Sequence, residues 1–172
     1  ITGLDYEYES LGNPMNSCAI SLPEGNIIKQ QKLYASKYDS PSMIKGEDLS
    51  VFCESVIGNF SVFICFDYLS PQDLIKLRGI TEILFVLTLN PDARAYHEKA
   101  KSDAYSFLYG FVVIGNAFDP SSSPPIKGGS GSYGPLKNNR IICRFEDGKH
   151  GMMIAELPLE DLRKARLGEI IS

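Results

Sequence analysis

Three apolar runs in the middle of the chain place the strongest constraint on its fold. They are Phe60 to Cys65, Ile83 to Leu89 and Phe111 to Gly115, and each has the length of a strand. Nearly continuous apolar runs of this length are typical of parallel strands that are buried on both faces. Because helical patterns separate the runs, the order strand, helix, strand, helix, strand predicts an α/β fold.

The first of these helices has clear start and stop signals. Ser70 is a favourable N-cap, Pro71 suits the first helical position, and Gly79 follows the expected last residue, Leu77. We expect the second helix to run from about residue 95 to residue 109. Each helix thus connects two buried strands in the sequence, and both helices should cover a face of the sheet.

The flanking segments predict further strands and one more helix. Upstream, β segments are expected at residues 1–8, 16–21, 27–32 and 49–54. Downstream, the Ser, Pro and Gly content of residues 119–136 predicts a loop, and residues 140–145 and 152–157 are expected to pair as a hairpin around Glu146, Asp147 and Gly148. A short helix at residues 159–166 should close the chain.

Composition excludes several classes of function. The 172 residues carry a net charge of −4 without a basic stripe, which argues against nucleic-acid binding by this segment. No apolar run approaches the roughly 18 residues that span a bilayer, so no membrane partner is expected. The length and the 44% hydrophobic content fit a single domain, residues 1–172.

The cysteines bear on the compartment. Cys18, Cys53, Cys65 and Cys143 are scattered, with no CxxC pair and no Cys/His cluster, which predicts neither a disulfide framework nor a metal site. The first residues also lack the basic and apolar regions of a signal peptide. We therefore predict a cytoplasmic protein without a cofactor, and we expect this chain to be part of a longer one, since it opens directly on a strand.

Cys65 is the candidate nucleophile because it ends a buried strand immediately before a turn into a helix. Such a junction exposes a side chain on a rigid backbone, and the amide of Phe66 could face a developing oxyanion. The alternative is that Cys65 is a small core residue, as free cysteines usually are. Position alone leaves both interpretations open.

Several segments resemble the nitrilase, or carbon–nitrogen hydrolase, superfamily. VFICFDYLSPQDL (Val62 to Leu74) resembles its nucleophile motif, and NSCAISLPEGNIIKQQKLYASKYD (Asn16 to Asp39) resembles the segment that ends in the catalytic Lys. FVVIGN and GGSGSYGP follow in the family's order. The resemblance implies an α-β-β-α sandwich, of which this chain would supply the C-terminal two-thirds.

By resemblance, Cys65 would attack an amide or nitrile carbon, and Lys32 would stabilise the thiolate and the oxyanion. Asp39, seven positions after Lys32, stands where the family often has a supporting Glu. Lys32 could instead be a solvated strand-end lysine and Asp39 an ordinary loop aspartate. The family's base is a Glu earlier in the chain, outside these residues, so the fragment alone is expected to be inactive.

Two other interpretations remain open. The chain could be a catalytically inactive nitrilase-like scaffold or oligomerisation module of a multidomain protein, such as a defence-associated reverse transcriptase. It could also be an unrelated α/β protein in which Lys32 and Cys65 lie far apart. The hydrolase interpretation predicts a small amide or nitrile substrate and either a homo-oligomer or a place in a larger chain. His97 could line the pocket, but we expect it on the solvent face of its amphipathic helix.

Overall fold

The structure, a computed structural model, describes residues 2–8, 14–22, 24–55, 57–145, 148–149 and 151–169. The strands are β1 (Thr2–Tyr8), β2 (Pro14–Ser21), β3 (Ile27–Gln31), β4 (Val51–Ser55), β5 (Gly58–Ile64), β6 (Ile83–Thr88), β7 (Phe111–Asn116), β8 (Phe118–Asp119), β9 (Ile126–Lys127), β10 (Gly131–Tyr133) and β11 (Cys143–Arg144). The α-helices are α1 (Pro71–Leu77), α2 (Arg94–Ser102) and α3 (Leu159–Arg166).

A six-stranded sheet in the order β11-β10-β7-β6-β5-β4 forms the centre of the fold. The three apolar runs are its parallel strands β5, β6 and β7, as predicted. β4 pairs antiparallel with β5 at one side, and β10 pairs antiparallel with β7 at the other. The carboxyl ends of the three parallel strands therefore meet at one edge of this sheet.

The first three strands form a three-stranded antiparallel sheet in the order β1-β2-β3, and β8 and β9 pair as a separate two-stranded ribbon. Side chains of β5 alternate between the two faces of the six-stranded sheet: Phe63 packs under the helices, whereas Val62 and Ile64 pack with Cys18 and Ile20 of β2. The described residues thus form a layer that contains α1 and α2, the six-stranded sheet and the three-stranded sheet. These are three layers of the predicted α-β-β-α sandwich.

The predicted second helix is regular only as far as Ser102. Residues Asp103–Phe107 continue it as a π-helical turn, and Leu108 N bonds to Asp103 O at 2.8 Å. None of the helices among the described residues is long and apolar enough to cross a membrane.

Two predictions for the C-terminal third were wrong. Residues 119–136 are not only loop, because β10 lies within them and joins the central sheet. Residues 152–157 form no strand, and Met152 and Ile154 are 84% and 88% exposed. The strand within residues 140–145 is β11, which pairs with β10 and not with residues 152–157, so the expected hairpin does not form. The predicted turn residues Glu146 and Asp147 lie outside the described residues.

Gly131 shows why a Gly-rich stretch can contribute a strand here. A Cβ at this position would lie 3.1 Å from Tyr133 Oη and 3.2 Å from the carbonyl oxygen of Cys143. The close pairing of β10 with β11 therefore depends on the missing side chain.

Helix α3 forms as predicted and is fixed by one apolar contact and two arginines. Leu162 is fully buried in the core between the two sheets. Arg163 binds Glu82 through two hydrogen bonds of 2.6 and 3.1 Å, and Arg166 donates to the carbonyls of Tyr109 and Thr81. These contacts hold α3 against the amino ends of β6 and β7.

We expect Leu162→Ala to lower the free energy of unfolding by about 3 kcal/mol, because it leaves a cavity in a packed core. Leu167→Ala is the matched control, since Leu167 lies at the end of the same helix and is 74% exposed. Its effect should stay within about 0.5 kcal/mol. Urea unfolding of both variants checks the prediction, and equal losses would contradict it.

Candidate active site

Cys65 lies at the junction predicted for it, directly after β5 and at the start of a 3₁₀ turn, Cys65–Leu69, that leads into α1. Its φ is +50°, a left-handed conformation that residues other than glycine seldom adopt. Such strain persists only where the surrounding structure imposes it, and it is frequent at functional sites. The backbone here holds the thiol at the carboxyl edge of the six-stranded sheet.

Lys32 follows β3, and its side chain is only 2% exposed. Its ammonium lies 2.6 Å from Asp39 Oδ2, and the Asp39 side chain is 3% exposed. The alternative of a solvated lysine is therefore wrong, and Asp39 lies in a loop, as the other alternative supposed, but with a buried side chain. The two residues form a buried ion pair.

Asp39 also binds neighbours that complete its hydrogen bonding. Ser36 donates to Oδ2 from its amide and its hydroxyl, both at 2.6 Å, and Asn16 Nδ2 donates to Oδ1 at 3.2 Å. Burial would raise the pKa of Asp39, but the hydrogen bonds from Lys32 and Ser36 outweigh burial and lower it below its usual value. Asp39 is thus held as a carboxylate beside the ammonium.

Asp67 connects the segment that carries Lys32 to the turn that carries Cys65. Its buried carboxylate accepts hydrogen bonds from the amide of Leu33, at 3.1 Å to each oxygen, and from the amide of Tyr34 at 2.8 Å. Tyr34 Oη in turn donates to Asp73 of α1 at 2.8 Å. No role for Asp67 was predicted from the sequence, and its position two residues after Cys65 was the available signal.

Lys32, Asp39 and Cys65 line one cavity of about 470 Å³. Asn16, Ser36 and Tyr38 complete its polar side, and residues from the ends of β6 and β7 line the rest: Leu87, Thr88, Leu89, Gly115, Asn116 and Ala117. This arrangement places a cation, a carboxylate and a thiol around a space that can hold a small molecule. Lys32 and Cys65 therefore line the same cavity rather than separate ones.

No protein-family model and no curated protein significantly matches the sequence. Solved structures do match. Nit3 of Saccharomyces cerevisiae, from branch 10 of the nitrilase superfamily, aligns with 95% of the chain at 20% identity and a TM-score of 0.79. A mutant amidase of the same superfamily from Nesterenkonia sp. AN1 aligns with 96% at 18% identity and a TM-score of 0.74.

The chain has the nitrilase fold. Glutamine-dependent NAD⁺ synthetase from Acinetobacter baumannii also matches, over 86% of the chain, at 20% identity and a TM-score of 0.73. The chain spans 62% of the Nit3 structure, 66% of the amidase structure and 29% of the synthetase structure. The amidase structure shows acrylamide added to its active-site cysteine.

Two other residues singled out from sequence lie outside the cavity lining of this nitrilase fold. Phe66 is 42% exposed to solvent. His97 is buried, so its predicted surface position was wrong: Nε2 lies 2.6 Å from the carbonyl oxygen of Gly129, and Nδ1 lies 2.6 Å from Tyr133 Oη. His97 thus joins α2 to the β10 segment.

The described residues of this nitrilase fold contain no group of three His, Cys, Asp or Glu side chains placed to hold a metal ion. The polar groups at the cavity are instead the ammonium, the carboxylate, the thiol and neutral hydroxyls and amides. They are suited to nucleophilic chemistry on a carbonyl carbon.

The stability of this nitrilase fold should depend on Asp67 between about pH 4 and pH 6. Burial raises the pKa of Asp67 to about 6, against the opposing hydrogen bonds from Tyr34 and Leu33 and the charge of Lys32. The folded chain therefore binds the proton more tightly than the unfolded chain, and the contribution of Asp67 to the free energy of unfolding falls as pH rises through this range. The fall should be roughly 2 to 3 kcal/mol.

Asp67→Asn removes this titration, so the difference between the wild-type and variant unfolding free energies should change by that amount between pH 4 and pH 6. Urea unfolding at several pH values measures it. Asp39 does not affect this comparison, because its pKa is lowered below this range and because it is present in both the wild type and the variant. Parallel pH profiles for the two proteins would show that Asp67 is not perturbed in this way.

Proposed function

We propose that this chain carries the thiol nucleophile of a carbon–nitrogen hydrolase and that its substrate is a small amide. The observation that supports this is the shared cavity, in which the buried Lys32–Asp39 pair and the strained Cys65 face one space. The nitrilase fold and the Nesterenkonia amidase structures that share it support the same chemistry.

In this proposal the Cys65 thiolate attacks the amide carbonyl carbon, and the Lys32 ammonium stabilises the resulting oxyanion. Collapse of the tetrahedral intermediate expels the amine and leaves a thioester on Cys65, which water then hydrolyses to the carboxylic acid. Asp39 holds the Lys32 ammonium in place, and its carboxylate balances the positive charge of Lys32 before the oxyanion forms. The amide of Phe66 is a candidate second oxyanion donor.

Proton transfer needs a further group. Asp39 is the acid among the described residues that line the cavity, and its lowered pKa and four hydrogen bonds make it a weak base. We assign the base to the Glu that the family resemblance places outside this chain. The chain alone should then acylate with an activated ester, whose leaving group needs no proton, but should hydrolyse amides poorly.

Nitrophenyl acetate is the appropriate probe. We expect one nitrophenolate to be released rapidly per chain and the acetyl group to be found on Cys65 by peptide mass spectrometry, with no burst in Cys65→Ala. Lys32→Met should slow the burst by about 10²-fold, because it removes an oxyanion partner. Lys29→Met, at an exposed lysine of β3, is the matched control and should leave the burst unchanged.

Absence of a burst from the folded chain, or acetylation distributed over Cys53 and Cys143, would contradict the proposal. That result would favour the inactive scaffold, in which the cavity has no role in chemistry. A burst that Lys32→Met and Lys29→Met slow equally would remove Lys32 from the mechanism.

A further inference from the structure

Tyr96, on α2, belongs to the core under the helices, whereas Lys32 follows a strand of the three-stranded sheet. Its hydroxyl oxygen lies 3.5 Å from Cys65 Sγ, and its side chain is almost fully buried. The Tyr96 ring stacks on Tyr68, with centroids 6.2 Å apart, which fixes the direction of the hydroxyl. Tyr68 itself belongs to the turn that begins at Cys65, so one packed unit holds both partners.

We infer that the Tyr96 hydroxyl donates a hydrogen bond to the Cys65 thiolate and thereby favours its formation. A thiolate offers only acceptor lone pairs, so in the reactive state the proton between the two atoms must belong to Tyr96. Burial, and then the contact with Cys65, raise the pKa of Tyr96, which keeps the hydroxyl protonated at neutral pH. This inference rests on the proposed function in one respect: it takes Cys65 as the reactive thiol.

The environment of the thiol shows why such a donor matters. The Lys32 ammonium already binds Asp39 at 2.6 Å, so its charge is largely compensated. Asp67, two residues after Cys65, adds negative charge when it is ionised. Among the described residues, the titratable side chains near Cys65 include Lys32, Tyr38 and Asp39 across the cavity, Asp67 and Tyr68 on its own turn, and Tyr96 on α2. Tyr96 is the neutral donor in contact with the sulfur.

The test measures the rate at which iodoacetamide alkylates Cys65 as a function of pH, with the product counted on the Cys65 peptide by mass spectrometry. Only the thiolate reacts, so the midpoint of the rate profile reports its formation. Tyr96→Phe keeps the ring and removes the donor. We expect the midpoint to rise by about 1 pH unit and the rate well below the midpoint to fall about 10-fold, with the rate at high pH unchanged.

Tyr133→Phe is the matched control. It also removes a buried tyrosine hydroxyl, one that bonds to His97 Nδ1 at 2.6 Å rather than to the thiol. The control should lose stability without moving the midpoint, so a shift common to both variants would mean loosened packing and would overturn the inference. A midpoint unchanged in folded Tyr96→Phe would do the same.

A second substitution keeps the test decisive if Tyr96→Phe does not fold. A ring-fluorinated tyrosine placed at position 96 retains the hydroxyl and makes it a stronger donor, so the midpoint should fall, and an unchanged or higher midpoint would contradict the inference. Failure of the Tyr96 inference can be distinguished from failure of the proposed function. A shifted midpoint without any acyl burst would leave the Tyr96 contact standing and reject the hydrolase.

Discussion

The hydrogen bonds that Asp67 accepts from Leu33 and Tyr34 determine how the candidate site is assembled. Lys32 belongs to the end of a strand in the three-stranded sheet, whereas Cys65 ends a strand in the six-stranded sheet. Apolar packing between the sheets brings these layers together, but packing is not directional. Backbone amides just past the end of a strand need acceptors, and one carboxylate supplies them for both residues. These hydrogen bonds to Asp67 therefore set the position of the Lys32 ammonium relative to the Cys65 thiol.

The Lys32–Asp39 pair is difficult to explain by stability alone. Removing two charges from water has a large desolvation cost, and well-packed apolar residues of similar volume would often be at least as stable. The pair is nevertheless almost fully buried and is completed by Asn16 and Ser36. A fixed cation at a cavity wall is more useful for chemistry than for folding, because it meets a developing negative charge without reorganising. This supports the hydrolase proposal over an inactive scaffold.

Features of the fold that depend on neighbouring residues could be predicted from the sequence, whereas features that depend on distant partners could not. The strand and helix order was predictable because apolar runs and helix caps are local, and Cys65 could be placed from the run that it ends. β10 could not be found this way, and β11 lies within a predicted strand but was given the wrong partner, since the pairing of strands of two or three residues depends on distant residues in the ladder. Likewise His97 is buried because Gly129 and Tyr133, more than thirty residues away, bind both ring nitrogens. Helix amphipathicity contains no information about these partners.

The backbone conformation at Cys65 explains why this residue contacts both the helical layer and the space between the two sheets. In a regular strand, residue 65 would follow Phe63 onto the helical side of the sheet. The left-handed φ interrupts that alternation, and Cys65 packs partly against both cores, the one under the helices and the one between the sheets. Its sulfur can therefore contact Tyr96 of α2 while it lines a cavity that also includes Lys32 and Leu87. A strained residue at the edge of the sheet thus brings together a donor from the helical layer and a cation from the other sheet, which neither face of a regular strand could do.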